Sequence, residues 1–158
     1  MSVRLKVAQD VAATPDRLWA ELADWTGQGR WIPATRVRVL EGPEVGVGGR
    51  VEALSGFRLG PVPVGLLDRF VVTGWTPPGV TADQPGELAV LHLGPYFTGE
   101  GSFKVEPTGV GSRLVATELF SLPGGRPVEA LARLALPVMR AGFALSLRRL
   151  ARLAESPR

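Results

Sequence analysis

The chain has 158 residues and a formal net charge of +3, with 45% hydrophobic and 21% charged residues. That balance excludes a disordered chain and suits one domain, residues 1–158, with a sizeable core. It has no cysteine and one histidine, His92, which excludes disulfide frameworks, thiolate metal sites, cysteine nucleophiles and any mechanism needing two imidazoles.

Residues 3–11 open with Val3, Leu5 and Val7 alternating with Arg4 and Lys6, a period of two that predicts a strand. The charges stand where a signal peptide would be apolar. Thr14-Pro15-Asp16 then predicts a helix start: a hydroxyl cap, a proline at the first position and an acid at the positive end of the dipole. Leu18, Trp19 and Leu22 mark its apolar face. A second short helix is expected over residues 24–31, stopped by Pro33.

Strands are expected over residues 35–41, 49–57, 65–75, 87–93, 98–106 and 112–121, separated by Gly/Pro turns short enough for an antiparallel meander. The last segment, residues 127–154, reads as one helix on the order of 42 Å long, with Pro137 expected to bend it. Leu131, Leu134, Ala135, Val138, Ala141, Gly142 and Leu145 recur at helical spacing, and Met139, Phe143, Leu147 and Leu150 form a second stripe beside them. One wide stripe facing a sheet accounts for both. No uninterrupted apolar run approaches the ~18 residues of a bilayer span.

Strand, two helices, six strands and one long helix is an α+β order, not a parallel βα alternation. A wide antiparallel sheet twists and curls, and a single helix closing its concave side leaves room for a cavity. Alternate connections of a meander share an end. One end gathers residues 42–48, 76–86 (with Val80) and 107–111, mostly small or polar. The other gathers residues 57–64, 94–97 and 122–125, which carry Phe57, Arg58, Tyr96 and Phe97. Apolar loops gathered at one end suggest a cavity mouth.

Several motifs in order carry a resemblance: Pro15-x-x-x-Trp19-x-x-Leu22-x-Asp24-Trp25 with Trp31 beyond it, Gly46-x-Gly48-Gly49-Arg50, Trp75-x-Pro77-Pro78, His92-x-Gly94-Pro95, Gly111-Ser112-Arg113 and Glu118. Together they are similar to the START-related helix-grip superfamily (SRPBCC), within it the polyketide cyclase/dehydrase-like group. The resemblance implies about seven antiparallel strands gripping the C-terminal helix around an apolar pocket. Its members include lipid carriers, coenzyme Q binders, hormone receptors and aromatase/cyclases, so it leaves activity open.

His92 has the one side chain whose ordinary pKa lies near neutrality. It reads either as a cavity acid/base or as a polar strand residue among Leu88, Val90, Leu91 and Leu93, with no obvious orienting partner. Glu118 shares a strand face with Leu114, Ala116 and Phe120; it reads as a ligand contact, a partner for an arginine of the long helix, or an outward residue after a bulge. Tyr96, beside Phe97, could bond a ligand's polar end. His92, Glu118 and Tyr96 are thus the catalytic candidates, and His92, Tyr96, Phe97, Phe103, Glu118, Phe120, Leu134, Val138 and Gly142 the expected ligand-binding set. Trp19, Trp25 and Trp31 read as packing. Of Asp68 and Arg69 one faces out and the other could reach the cavity, an outward cross-strand ion pair being the commoner arrangement. Arg58, near the mouth, reads as a solvated loop arginine, the alternative being a residue that attracts a carboxylate or phosphate.

No phosphate loop, Gly-x-Ser-x-Gly elbow or metal spacing is present, so no cofactor and no metal are expected. Only Lys6 and Lys104 are lysines. The 16 arginines run along the whole chain, which reads as coding bias, not a nucleic-acid surface. The leading expectation is a cytoplasmic protein binding a small, largely apolar molecule (lipid, polyketide or isoprenoid-like) in an internal cavity. A cyclase/dehydratase is the alternative. A quinone or lipid binder docking on a membrane surface is a third reading, not favoured. Nothing in the sequence sets an oligomeric state.

Overall fold

In the computed structural model, which describes residues 3–79 and 83–157, seven strands form one antiparallel sheet. They are β1 (Val3–Val11), β2 (Thr35–Glu41), β3 (Arg50–Leu59), β4 (Val62–Thr76), β5 (Gly86–Pro95), β6 (Thr98–Thr108) and β7 (Gly111–Ser121). Helix α1 (Pro15–Leu22) and a 3-10 turn (Thr26–Arg30) follow β1, and α2 (Gly125–Glu155) follows β7. Val80 and the side chains of Phe57, Arg58, Leu59 and Pro63 lie outside the described residues.

The expected α+β helix-grip fold holds. The second short helix is a 3-10 turn, as glycines at positions 27 and 29 weaken α-helix formation. β3 and β4 run further than their patterns indicate, so Gly60 and Pro61 alone separate them. Gly60 has φ +62°, a conformation such a two-residue turn needs and glycine adopts without strain.

The sheet order is β1-β7-β6-β5-β4-β3-β2. Pairing shifts in β4 between Arg69 and Phe70 and again between Val72 and Gly74. Such bulges bend a strand and add twist, which helps curl the sheet around α2. Its concave face buries Val51, Phe70, Val72, Leu88, Val90, Val105, Leu114 and Ala116 against Leu147, Leu150, Ala151 and Ala154 of α2 and Leu18, Trp19 and Leu22 of α1.

The start of α1 is tied as the sequence suggests. Thr14 Oγ1 accepts from Arg17 N–H at 3.4 Å, and Pro15 takes the first turn. The Arg17 guanidinium donates to the carbonyls of Ala154 at 3.2 Å and Ser156 at 3.1 Å. A cation there satisfies orphan carbonyls and complements the negative end of α2.

The helix is continuous through Pro137, which is exposed. By length and composition α2 is apolar enough to cross a bilayer; here one side of it packs on the sheet. Its orientation corrects the expected stripe. Val128, Leu131, Ala132, Ala135, Met139 and Phe143 line the space beneath the sheet, whereas Leu134 is 80% and Val138 75% exposed on the far side. Gly142 is exposed too, with open space where a Cβ would stand. The reason is angular: Leu134 and Val138 lie next in sequence to Ala135 and Met139, about 100° further round the helix.

Candidate functional site

Between the sheet and the first half of α2 lies a chamber of about 440 Å³, lined by Leu5, Leu66, Phe97, Phe120, Leu122 and the α2 residues above, with Asp68, His92 and Glu118 in its wall. A deeper chamber of about 200 Å³ reaches in beneath the 3-10 turn, past Trp25, Gln28, Trp31, Thr35, Ser55, Phe70, Phe103 and Ser146. The two share Leu66, Asp68, Phe97, His92, Glu118 and Phe143, so the polar cluster stands where they meet. Leu66, Phe97 and Leu122 place the opening at the end of the sheet where apolar loops gather.

Strand alternation builds the cluster. On β5, Leu88, Val90 and His92 face the concave side; on β7, Leu114, Ala116, Glu118 and Phe120 do; on β4, Asp68 is in phase with Phe70 and Val72. His92 Nδ1 lies 2.9 and 3.0 Å from the two Asp68 oxygens, and Nε2 lies 3.1 Å from Glu118 Oε2. Asp68 thus supplies the orienting partner that sequence reasoning missed. Counting by twos back from Phe70 would have found it. Arg69, the outward neighbour, pairs with Glu52 at 2.8 Å and leaves Asp68 to the cavity.

Glu118 and His92 are not on adjacent strands; β6 runs between them. Its residues there are Gly99, paired with His92 and Phe120, and Gly101, paired with Val90 and Glu118. A Cβ on Gly101 would stand 2.8 and 2.9 Å from the Glu118 carboxylate oxygens and 2.9 Å from Val90. The glycine therefore clears the lane through which Glu118 reaches His92. Gly101→Ala should push the carboxylate off the ring and bring the His92 pKa down in an NMR titration. An unchanged titration would show that Glu118 does not need this lane.

His92 is only 8% exposed. Burial works against its charged form, but the hydrogen bonds and charges of Asp68 and Glu118 outweigh it and push the pKa from 6.5 up to about 9. In that form both ring N–H groups donate, one to each carboxylate. Phe97 packs at a tilt 5.0 Å and Phe70 edge-on 5.9 Å from the ring, centroid to centroid.

The remaining expected residues divide. Phe97, Phe103 and Phe120 line the chambers. Tyr96 does not: it is 50% exposed on the β5–β6 connection, where no periodicity sets a side chain's direction. Leu134, Val138 and Gly142 stand outside, as above. Trp19 is packed edge-on against Trp75 at 5.4 Å. Trp25 and Trp31, read as packing, also wall the inner chamber. Trp25 Nε1 donates to the Glu44 carbonyl at 3.0 Å, while Trp31 Nε1 is buried with no partner. Among the described residues no group of His and acid side chains could hold a metal ion.

A family profile described as polyketide cyclase / dehydrase and lipid transport matches residues 2–155. The chain belongs to that family. The family's fold recurs in solved structures of low identity. The aromatase/cyclase Zhui from Streptomyces sp. R1128 superposes with a TM-score of 0.70 at 20% identity, covering 98% of this chain and 94% of that one. The protein TTHA0849 from Thermus thermophilus gives 0.68 at 18%, covering 98% and 97%. The di-domain ARO/CYC protein StfQ from the steffimycin biosynthetic pathway gives 0.71 at 18%, covering 98% of this chain and 51% of that one. No curated protein matches the sequence significantly.

Proposed function

We propose that this family member binds a small, largely apolar molecule in the two chambers, with the molecule's polar end at Asp68, His92 and Glu118. The observation that carries the reading is the cluster of three ionisable side chains set at the junction of an apolar outer chamber and an inner one lined by aromatic, apolar and uncharged polar groups. Apolar burial would supply affinity at about 25 cal/mol per Å² before entropic costs, and the cluster would set orientation. An uncharged environment-sensitive dye should bind in the cavity, and native mass spectrometry of freshly purified protein should retain a defined small-molecule adduct. A dye that stays in water, with no adduct, would remove the reading.

A second reading is favoured by the pairing of an imidazole with carboxylates. In a cyclase/dehydrase-type reaction Glu118 would take a proton from the carbon beside a ketone while His92 gives one to the ketone oxygen, yielding an enol. Two variants separate the readings. In a binder, His92→Gln and Glu118→Gln each weaken ligand binding about tenfold or less, the worth of an orienting hydrogen bond. In an enzyme, at least one loses turnover of a polyketide-like substrate by about a hundredfold or more while still binding it.

A further inference from the structure

We propose that the cavity selects its ligand by charge: it takes apolar molecules whose polar end is an uncharged hydroxyl and rejects those ending in a carboxylate. This rests on the ligand-binding reading and narrows it. The chain carries 16 arginines and two lysines, yet among the described residues none lines either chamber. Several point elsewhere: Arg17 to the end of α2, Arg30 to Glu21 and Asp24, Arg38 and Arg69 to Glu52, Arg50 to Glu41, Lys104 to Glu106 and Arg113 to Asp10.

Among the described residues that line the chambers the one cation is His92, and it is already engaged. Its two ring N–H groups are held by Asp68 and Glu118. The cluster as a whole, two carboxylates around one imidazolium, has a formal charge of −1. A ligand carboxylate arriving there would meet two like charges in a mostly buried site, with no free cationic donor among the described lining residues to offset its lost water. A hydroxyl meets the opposite situation. Glu118 Oε1 is not used by His92 and can accept its proton. Across the inner chamber, the unpartnered Trp31 Nε1–H, on a side chain only 1% exposed, can donate to a ligand oxygen.

The test is competition against a bound uncharged dye, N-phenyl-1-naphthylamine, at neutral pH, with 1-decanol, decanoate and methyl decanoate. These share a chain length and differ in the charge of one end. Decanol should displace the dye about tenfold or more better than decanoate. Methyl decanoate, the same acid with its charge removed, should fall within about threefold of decanol. Glu118→Gln should narrow the gap between decanol and decanoate. Decanoate competing as well as decanol would overturn charge selection and leave the binding reading standing, as would a methyl ester as weak as the free acid. A dye that does not bind, or that none of the three displaces, would overturn both.

Discussion

Raising the pH from about 6.5 through about 9 should lower the melting temperature of the wild-type protein, and the decline should be missing from His92→Gln. The cause is the proton on His92, held in the folded protein up to about 9 against an ordinary 6.5. A group that binds its proton more tightly when folded contributes stability that is complete below the unfolded pKa and is lost as the pH climbs through the folded one. The full shift corresponds to on the order of 3 kcal/mol, shared with the two carboxylates that produce it. For a chain of this size that is a fall of about 6–12 °C. Among the described residues Asp68 from β4 and Glu118 from β7 are the other ionisable side chains on the ring, and Phe70 and Phe97 pack against it. Parallel declines in the two proteins by scanning calorimetry would mean that His92 is not the group responsible.

Trp19→Ala should destabilise the protein by about 3–5 kcal/mol, the usual cost of truncating a buried tryptophan. Trp19 is buried between α1 and the sheet, edge-on to Trp75, which in turn meets Trp25 at 6.1 Å. Trp25 packs on Phe70, and Phe70 on His92. The aromatic chain thus runs from α1 to the polar cluster, and removing its first ring leaves a cavity that the rigid sheet cannot collapse into. A variant that melts like the wild type but no longer binds the dye would make Trp19 part of the ligand site.

Strands were legible wherever alternation met a Gly/Pro turn, as at Val3–Val11 and Thr35–Glu41, because a half-buried strand prints its two faces in the sequence. The inward phase of Glu118 was legible from Leu114 and Ala116 for the same reason. Asp68 was undecided because the sequence allows either it or Arg69 to reach the cavity; the outward cross-strand pair is made by Arg69 with Glu52, directly opposite on β3, which leaves Asp68 inside. The face of α2 was ambiguous on physical grounds. The helix is apolar on nearly every side around its middle, so periodicity gives the angle between two stripes but not which one is covered. Leu134 and Val138 are as apolar as Met139 and Phe143, and only the sheet distinguishes them. The reach of Glu118 across β6 depends on two glycines in a neighbouring strand, a relation between segments that no single segment displays.

The first strand of the sheet pairs with the last, from Val3 opposite Phe120 to Val11 opposite Ser112. The Ala12 N–H bonds to Glu155 at 2.9 Å across 143 residues of sequence. Synthesis therefore delivers β1 long before anything it can pair with, and five strands of half-finished sheet wait with their concave face bare. Contacts this distant in sequence make folding slow, and uncovered apolar sheet is what aggregates in the interval. The arrival of β7 and α2 closes the sheet, covers that face and creates the chamber in the same event. A nascent chain consequently has no binding site to offer until it is nearly complete, and any ligand that stabilises the chamber acts on the closing step.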